Sequence, residues 1–296
     1  MTTVPMTEFR ACGPTHRPLV NVIGIGAQKC ASSWIHSVLG THPEVEVGEP
    51  KEIDFFSYYF DRGYRWYERH FAGGDEKAIR FESSPSYFYD PRTPGRVRDY
   101  NRDMRVLLLL RDPVARAFSN HMHEIIKGHI PVVPFETGLP NNPAYLEQGM
   151  YATHLTRWRE AFGPDAVRVM FAEEVSADAE GQAKALFRHL NIDDRFESAI
   201  LSEKRNDSDR ARMPALRTGL RAGGDWMRRQ GLEPVLAKVK ATPPVAQILS
   251  ANRIAIRDEI PPMQTETKTH LRAIFAPEMD RLREMLRRPL PWDAAP

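Results

Sequence analysis

The chain has 296 residues, with 41 Lys and Arg against 39 Asp and Glu, a net charge of +2. That near balance excludes a protein that binds nucleic acid by bulk charge, so any anion site must be local. Two cysteines, Cys12 and Cys30, exclude a disulfide framework and a cysteine-rich zinc site, which makes a reducing, cytoplasmic setting the default expectation.

Residues 1–18 are short, polar and proline-bearing, and read as a flexible arm. They lack the unbroken apolar core of a signal peptide, and no later segment approaches the ~18 apolar residues of a membrane span, so a soluble protein is expected. A single domain is expected over 19–296, with an α/β core at 19–195 and a mostly helical flap and C-terminal helix at 196–296.

Val20, Val22, Ile23 and Ile25 form a β-branched run that suits a buried strand. Gly24 and Gly26 let the backbone turn, and Trp34, Ile35, Val38 and Leu39 then recur at helical spacing behind a cap at Ser32 or Ser33. In a strand–loop–helix unit the loop N–H groups and the positive helix end converge on one spot, which is a site for phosphate. Lys29 adds a cation there, and the serines add hydroxyl donors. The stretch is not a Walker A loop: Cys30 follows Lys29 where that motif has a magnesium-binding hydroxyl. The bland alternative is an ordinary turn with a surface lysine.

Further on, Val45 to Val47 reads as a short strand, followed by Lys51 and Glu52 on a loop or helix start ahead of Phe55 and Phe56. Tyr64, Tyr67 and Phe71 sit at helical spacing and pack most simply on the core. The exposed-aromatic alternative has Tyr58, Tyr59, Tyr64, Trp66 and Tyr67 stacking on a substrate ring. Ala78 to Glu82 is the next strand, which places Glu82 at its carboxyl end, the edge where open α/β sheets bind ligands.

Residues 94–103 read as a short helix, and Val106 to Leu110 is a continuous apolar run expected to be a central parallel strand. Arg111 ends that strand and Ser119 lies in the helix opened by Pro113; an arginine fork there suits a second phosphate. The alternative is a structural Arg111–Asp112 pair. His121 and His123 stand two apart and face different ways on a helix, so no metal pair is read. A proline-rich connection over 129–147 precedes a helix from Met150 to Phe162, a strand from Val167 to Phe171 and a helix from Gly181 to Leu190. After Ser202 the chain is polar and basic, and Lys204, Arg205 and Asn206 are the candidate ligand-facing cluster of a flap. A last helix runs through Leu271, Phe275, Met279, Leu282 and Leu286.

In this order, GAQKCASSW, KEIDFF, FESSPSYF and RVLLLLRDPVARAFS resemble the sulfotransferases that use 3′-phosphoadenosine 5′-phosphosulfate (PAPS), closest to the glycosaminoglycan (heparan sulfate) branch and its bacterial relatives. The resemblance spans about 19–195. It implies a P-loop-like central parallel sheet flanked by helices. It implies that Gln28, Lys29, Cys30, Ala31, Ser32, Ser33 and Trp34 hold the 5′-phosphosulfate, and that Arg111 and Ser119 hold the 3′-phosphate. Lys204, Arg205 and Asn206 stand where a basic loop closes. Glu52 is the implied general base, with Lys29 and Lys51 beside it, and Asp54, Glu82, Ser83 and Tyr87 are the implied acceptor side. The product is adenosine 3′,5′-bisphosphate, and no metal is implied.

Ala31 departs from the family's glycine, Ser32 and Ser33 from its threonines, and Ser83 from the lysine of the carbohydrate enzymes. The implied acceptor is an oligosaccharide, a glycolipid or a small secondary metabolite, with neither nucleic acid nor an integral membrane segment involved. Two other readings stand: a P-loop small-molecule kinase, and a catalytically silent nucleotide-binding relative.

Overall fold

The structure is a computed structural model that describes residues 18–71, 77–198, 200, 209–211, 253–255 and 260–293. The described chain falls into two compact units, the first from 18–117, 144–200 and 269–293, the second from 118–143, 209–211, 253–255 and 260–268. The second thus takes residues from both sides of the boundary expected at 195.

In the first unit, β1 (Val22–Gly26), β2 (Val45–Val47), β3 (Ile79–Ser83), β4 (Arg105–Leu110) and β5 (Val167–Phe171) form one sheet in the order β2-β3-β1-β4-β5. Every pairing is parallel. Between the strands run α1 (Ser32–Thr41), α2 (Tyr64–Glu68), α3 (Thr93–Tyr100) and α4 (Pro113–Lys127), which begins in the first unit and ends in the second. This is the P-loop-like α/β architecture expected from the sequence. The unbroken apolar run of β4 follows from its place: Val106 through Leu110 are fully buried, covered on both faces. One face packs Val22, Leu107 and Leu109 against Ile35, Val38, Leu39, Leu186 and Phe187.

The 129–147 connection is not extended. It folds into α5 (Phe135–Gly138), a short 3-10 turn at Leu139–Asn141 and α6 (Ala144–Glu147). Then come α7 (Tyr151–Phe162), α8 (Ala172–Ala177) and α9 (Ala179–Leu190). The last begins two residues before the expected start because Asp178 caps it, accepting the Gly181 N–H at 2.8 Å. In the second unit β6 (Asp209–Ala211) and β7 (Arg253–Ala255) pair antiparallel, and Ile125 packs with Ile260. The final helix, α10, spans Thr265–Leu286.

The aromatic run around α2 builds core. Tyr67 is fully buried and stacks on Phe55 with ring centroids 4.7 Å apart, so it is closed to any ligand. Tyr58 and Tyr59 are exposed, and the Arg62 guanidinium lies 4.9 Å from the Tyr59 ring.

Candidate active site

The chain leaves β1 toward β2 on one side of the sheet and leaves β4 toward β5 on the other, so the crevice at a topological switch point opens between the carboxyl ends of these two neighbours. Gly26 stands opposite Leu108, and the Ala27 N–H donates to the Leu109 carbonyl at 2.7 Å, which fixes the turn after β1 to the end of β4. Gly24 is required by its neighbour: a Cβ there would lie 2.8 Å from Ser83 Oγ.

The turn winds tightly. Lys29 at φ 67° and Ala31 at φ 64° are both left-handed, a conformation side chains seldom adopt outside functional turns. The expected serine cap is corrected here. Ala31 is the residue before α1, Ser32 is already in its first turn, and no side chain caps the helix. The helix start therefore turns its N–H groups and its positive dipole end toward the turn, which fits an anion. Cys30 is buried, with its Sγ 3.7 Å from the Tyr151 hydroxyl, which donates to the Arg111 carbonyl at 3.0 Å. Burial pushes the thiol up to about 11, so it stays neutral and serves packing rather than nucleophilic chemistry.

Arg111 follows β4 at the same edge as the Lys29 turn. Its neighbour Asp112 accepts from the Val114 N–H at 2.9 Å and opens α4, while the Asp112 N–H donates to Glu173 at 3.0 Å. Among the described residues Asp112 caps rather than pairs with Arg111, so the structural ion pair weighed from sequence does not form.

Lys51 joins the second expected cluster to the first. Its Nζ donates to Ser33 Oγ at 3.1 Å and to Glu52 Oε1 at 3.3 Å, so a half-exposed carboxylate is held beside the first turn of α1. Asp54, left-handed at φ 53°, follows. Its N–H donates to Ser84 Oγ at 2.8 Å, Ser84 in turn donates to Glu82, and Ser86 Oγ donates to the Asp54 carboxylate at 2.5 Å. Burial, with the Glu52 charge nearby, pushes the Asp54 carboxyl up despite the Ser86 hydroxyl. Burial pushes Glu82 up to about 8, against the hydroxyls of Ser84 and Tyr87.

Three of the four residues expected on the acceptor side are enclosed. Glu82, Ser83 and Tyr87 are 1%, 3% and 0% exposed, because the segment around Phe55 and Phe56 covers the end of β3. The Phe56 N–H donates to the Tyr87 hydroxyl at 3.4 Å, Ser83 lies against Gly24, and Asp54 is the half-buried residue of the four. Ser119 lies on α4 within the second unit, and Lys204, Arg205 and Asn206 lie outside the described residues. Sequence reasoning missed Tyr151, Ser84 and Ser86: a hydroxyl at a helix start or in a polar loop carries no local sign of its distant partner.

No protein-family model matches the chain. Heparan sulfate glucosamine 3-O-sulfotransferase 6 of Mus musculus is 28% identical over 181 residues, 58% of this chain and 52% of its own length. Heparan sulfate glucosamine 3-O-sulfotransferase 3B1 of Homo sapiens is 29% identical over 189 residues, 60% of this chain and 47% of its own. The chain thus spans about half the length of these relatives. Among solved structures, a sulfotransferase from Alicyclobacillus acidocaldarius superposes with a TM-score of 0.67 at 22% identity, over 93% of this chain and 98% of that one, which shows a shared fold.

Proposed function

We infer, from its motifs and its similarity to heparan sulfate sulfotransferases, that this chain is a PAPS-dependent sulfotransferase that moves a sulfuryl group from PAPS to a hydroxyl or amine of a carbohydrate, glycolipid or secondary-metabolite acceptor. The observation that carries the reading is the arrangement at the switch point. The Lys29 turn and Arg111 leave neighbouring strands at one edge and are strapped together through Cys30 and Tyr151. Two basic anchors so placed suit a ligand with a phosphate at each end.

When bound, the donor supplies an activated sulfuryl group whose departure leaves negative charge on the bridging oxygen of the 5′-phosphate. The Lys29 ammonium neutralises that oxygen, while the α1 N–H groups and the Ser32 and Ser33 hydroxyls hold the phosphate. Gln28, Cys30, Ala31 and Trp34 shape the turn around it. Arg111 reads the 3′-phosphate, which ATP lacks, and so separates this donor from ATP. Ser119, Lys204, Arg205 and Asn206 enter the donor site on the resemblance alone.

Glu52 takes the acceptor's proton as the new bond to sulfur forms. Lys51 holds Glu52 against Ser33, so the base stands beside the phosphosulfate loop before any acceptor arrives. Asp54 meets the acceptor, and the buried Glu82–Ser84 pair sets its position. Relatives named for action on heparan sulfate favour a saccharide acceptor. A cytoplasmic setting rests on cysteine usage.

The test is transfer of labelled sulfate from PAPS to a panel of saccharide, glycolipid and phenolic acceptors, with binding of adenosine 3′,5′-bisphosphate measured in parallel. Tight bisphosphate binding without metal, and transfer to at least one acceptor, is the expected result. Binding of Mg–ATP in preference would return the kinase reading, and binding without transfer the silent one.

A further inference from the structure

We propose that the outer edge of the sheet carries a second anion site, separate from the Lys29 turn, that takes the tetrahedral oxyanion of a sulfate or phosphate group. β5 is the last strand in the sheet order, and a cleft of about 300 Å³ lies along it. That volume is at the small end of the range for ligand clefts. Arg159 reaches it from α7, Arg168 from β5, His189 from α9 and Arg288 from beyond α10, while Asp165 is the acid on its wall.

The positive groups are only partly compensated. Arg288 pairs with Glu174 and lies over the Phe171 ring at 5.0 Å, and Arg159 donates one Nη to the Met285 carbonyl at 2.7 Å. Among the described residues, that leaves Arg159 Nε, Arg168 Nε and His189 Nε2 buried with no hydrogen-bond partner. A buried donor without a partner is costly, so the two guanidinium nitrogens, joined by His189 Nε2 when it carries the proton, call for an acceptor with several lone pairs. An oxyanion has them, and a guanidinium fork matches its geometry. Burial, and then the Arg168 and Arg105 charges, hold the His189 imidazole below its ordinary range.

The anion has two sources: free inorganic anion, or the ester group of a sulfated sugar. The His189 ring signals of the full chain, assigned against His189→Asn, are followed by NMR while sodium sulfate, a sulfated monosaccharide or its unsulfated parent is added. Saturable shifts with the first two but not the parent are expected, together with a rise in the imidazole's titration midpoint.

Arg168→Gln should weaken binding about tenfold or more, the scale of one lost charge-assisted hydrogen bond. Arg288→Gln serves as the second variant should the first not fold, and sulfuryl transfer should be unchanged in both. Tighter binding of the sulfated sugar than of sulfate assigns the cleft to the ester, and equal binding assigns it to the free anion. The absence of a saturable response, or equal binding by wild type and both variants, overturns the proposal.

Discussion

Lys29 stands on a turn set by backbone geometry, because two left-handed residues in three lead the chain from β1 into the start of α1. Under the proposed mechanism, Lys29→Ala and Glu52→Gln should each lower the turnover number by about 100-fold or more, the scale of a lost anion-stabilising group or general base. Steady-state kinetics with the saccharide panel checks this, and near-normal rates in both variants would remove the mechanism.

Glu82 offers a test independent of the donor. Its folded-state pKa is raised from 4.5 to about 8, so between those values the folded protein keeps a proton that the unfolded chain has released. Its contribution to stability is therefore greatest below pH 4.5 and declines as pH rises toward 8. Urea midpoints at pH 5 and pH 8 should differ less in Glu82→Gln than in wild type, and an unchanged difference would refute the assignment. The positions of Lys29 and Arg111 at strand-to-helix junctions and of Glu52 in a short motif were legible in sequence because turn residues and apolar runs mark them locally. The enclosure of Glu82, Ser83 and Tyr87 was not, because the residues that cover them are some thirty positions away in the chain, as the Asp54–Ser84 bond shows with a separation of 30.

At the scale of the elements, α7 begins without a cap from its own segment, and α10 provides one. The buried Glu278 carboxylate accepts the Thr153 N–H at 2.9 Å and its hydroxyl at 2.8 Å, and pairs with Arg281. Thr153 is in the first turn, where N–H groups have no partner inside the helix. Glu278→Ala should cost about 1–3 kcal/mol by leaving that donor unpaired, and Glu278→Gln less, because it keeps an acceptor. Urea denaturation decides between this and a surface role, for which neither change would register.

Gly24 belongs to the same scale. A methyl group there collides with Ser83 on the neighbouring strand, so Gly24→Ala should destabilise by about 1–3 kcal/mol, with the melting temperature as the measure. The strands and helices were read close to their observed bounds, since side-chain periodicity and turn residues act locally. Two of the exceptions have local causes, since Asp178 lengthens α9 and the left-handed Ala31 displaces the cap of α1, while the helix read over 94–103 stops at Tyr100 and α8 was not read.

For the whole molecule, a donor gripped at both ends should stabilise the folded state by mass action. Adenosine 3′,5′-bisphosphate is expected to raise the melting temperature in the presence of EDTA, with a shift that grows with ligand concentration and shrinks in Arg111→Ala. A shift that requires added magnesium would count against a grip by lysine, arginine and backbone N–H groups.

By itself the sequence determined the α/β order, the β1 turn with Lys29, the strand that Arg111 follows and the adjacency of Lys51 and Glu52 ahead of Phe55, because apolar period, glycine placement and short motifs act over a few residues. Tertiary structure alone decided which of these groups meet. Cys30 meets Tyr151 across 121 positions and Thr153 meets Glu278 across 125. Sheet order and burial, which set those meetings and the protonation of Glu82, depend on long-range packing that no local pattern records.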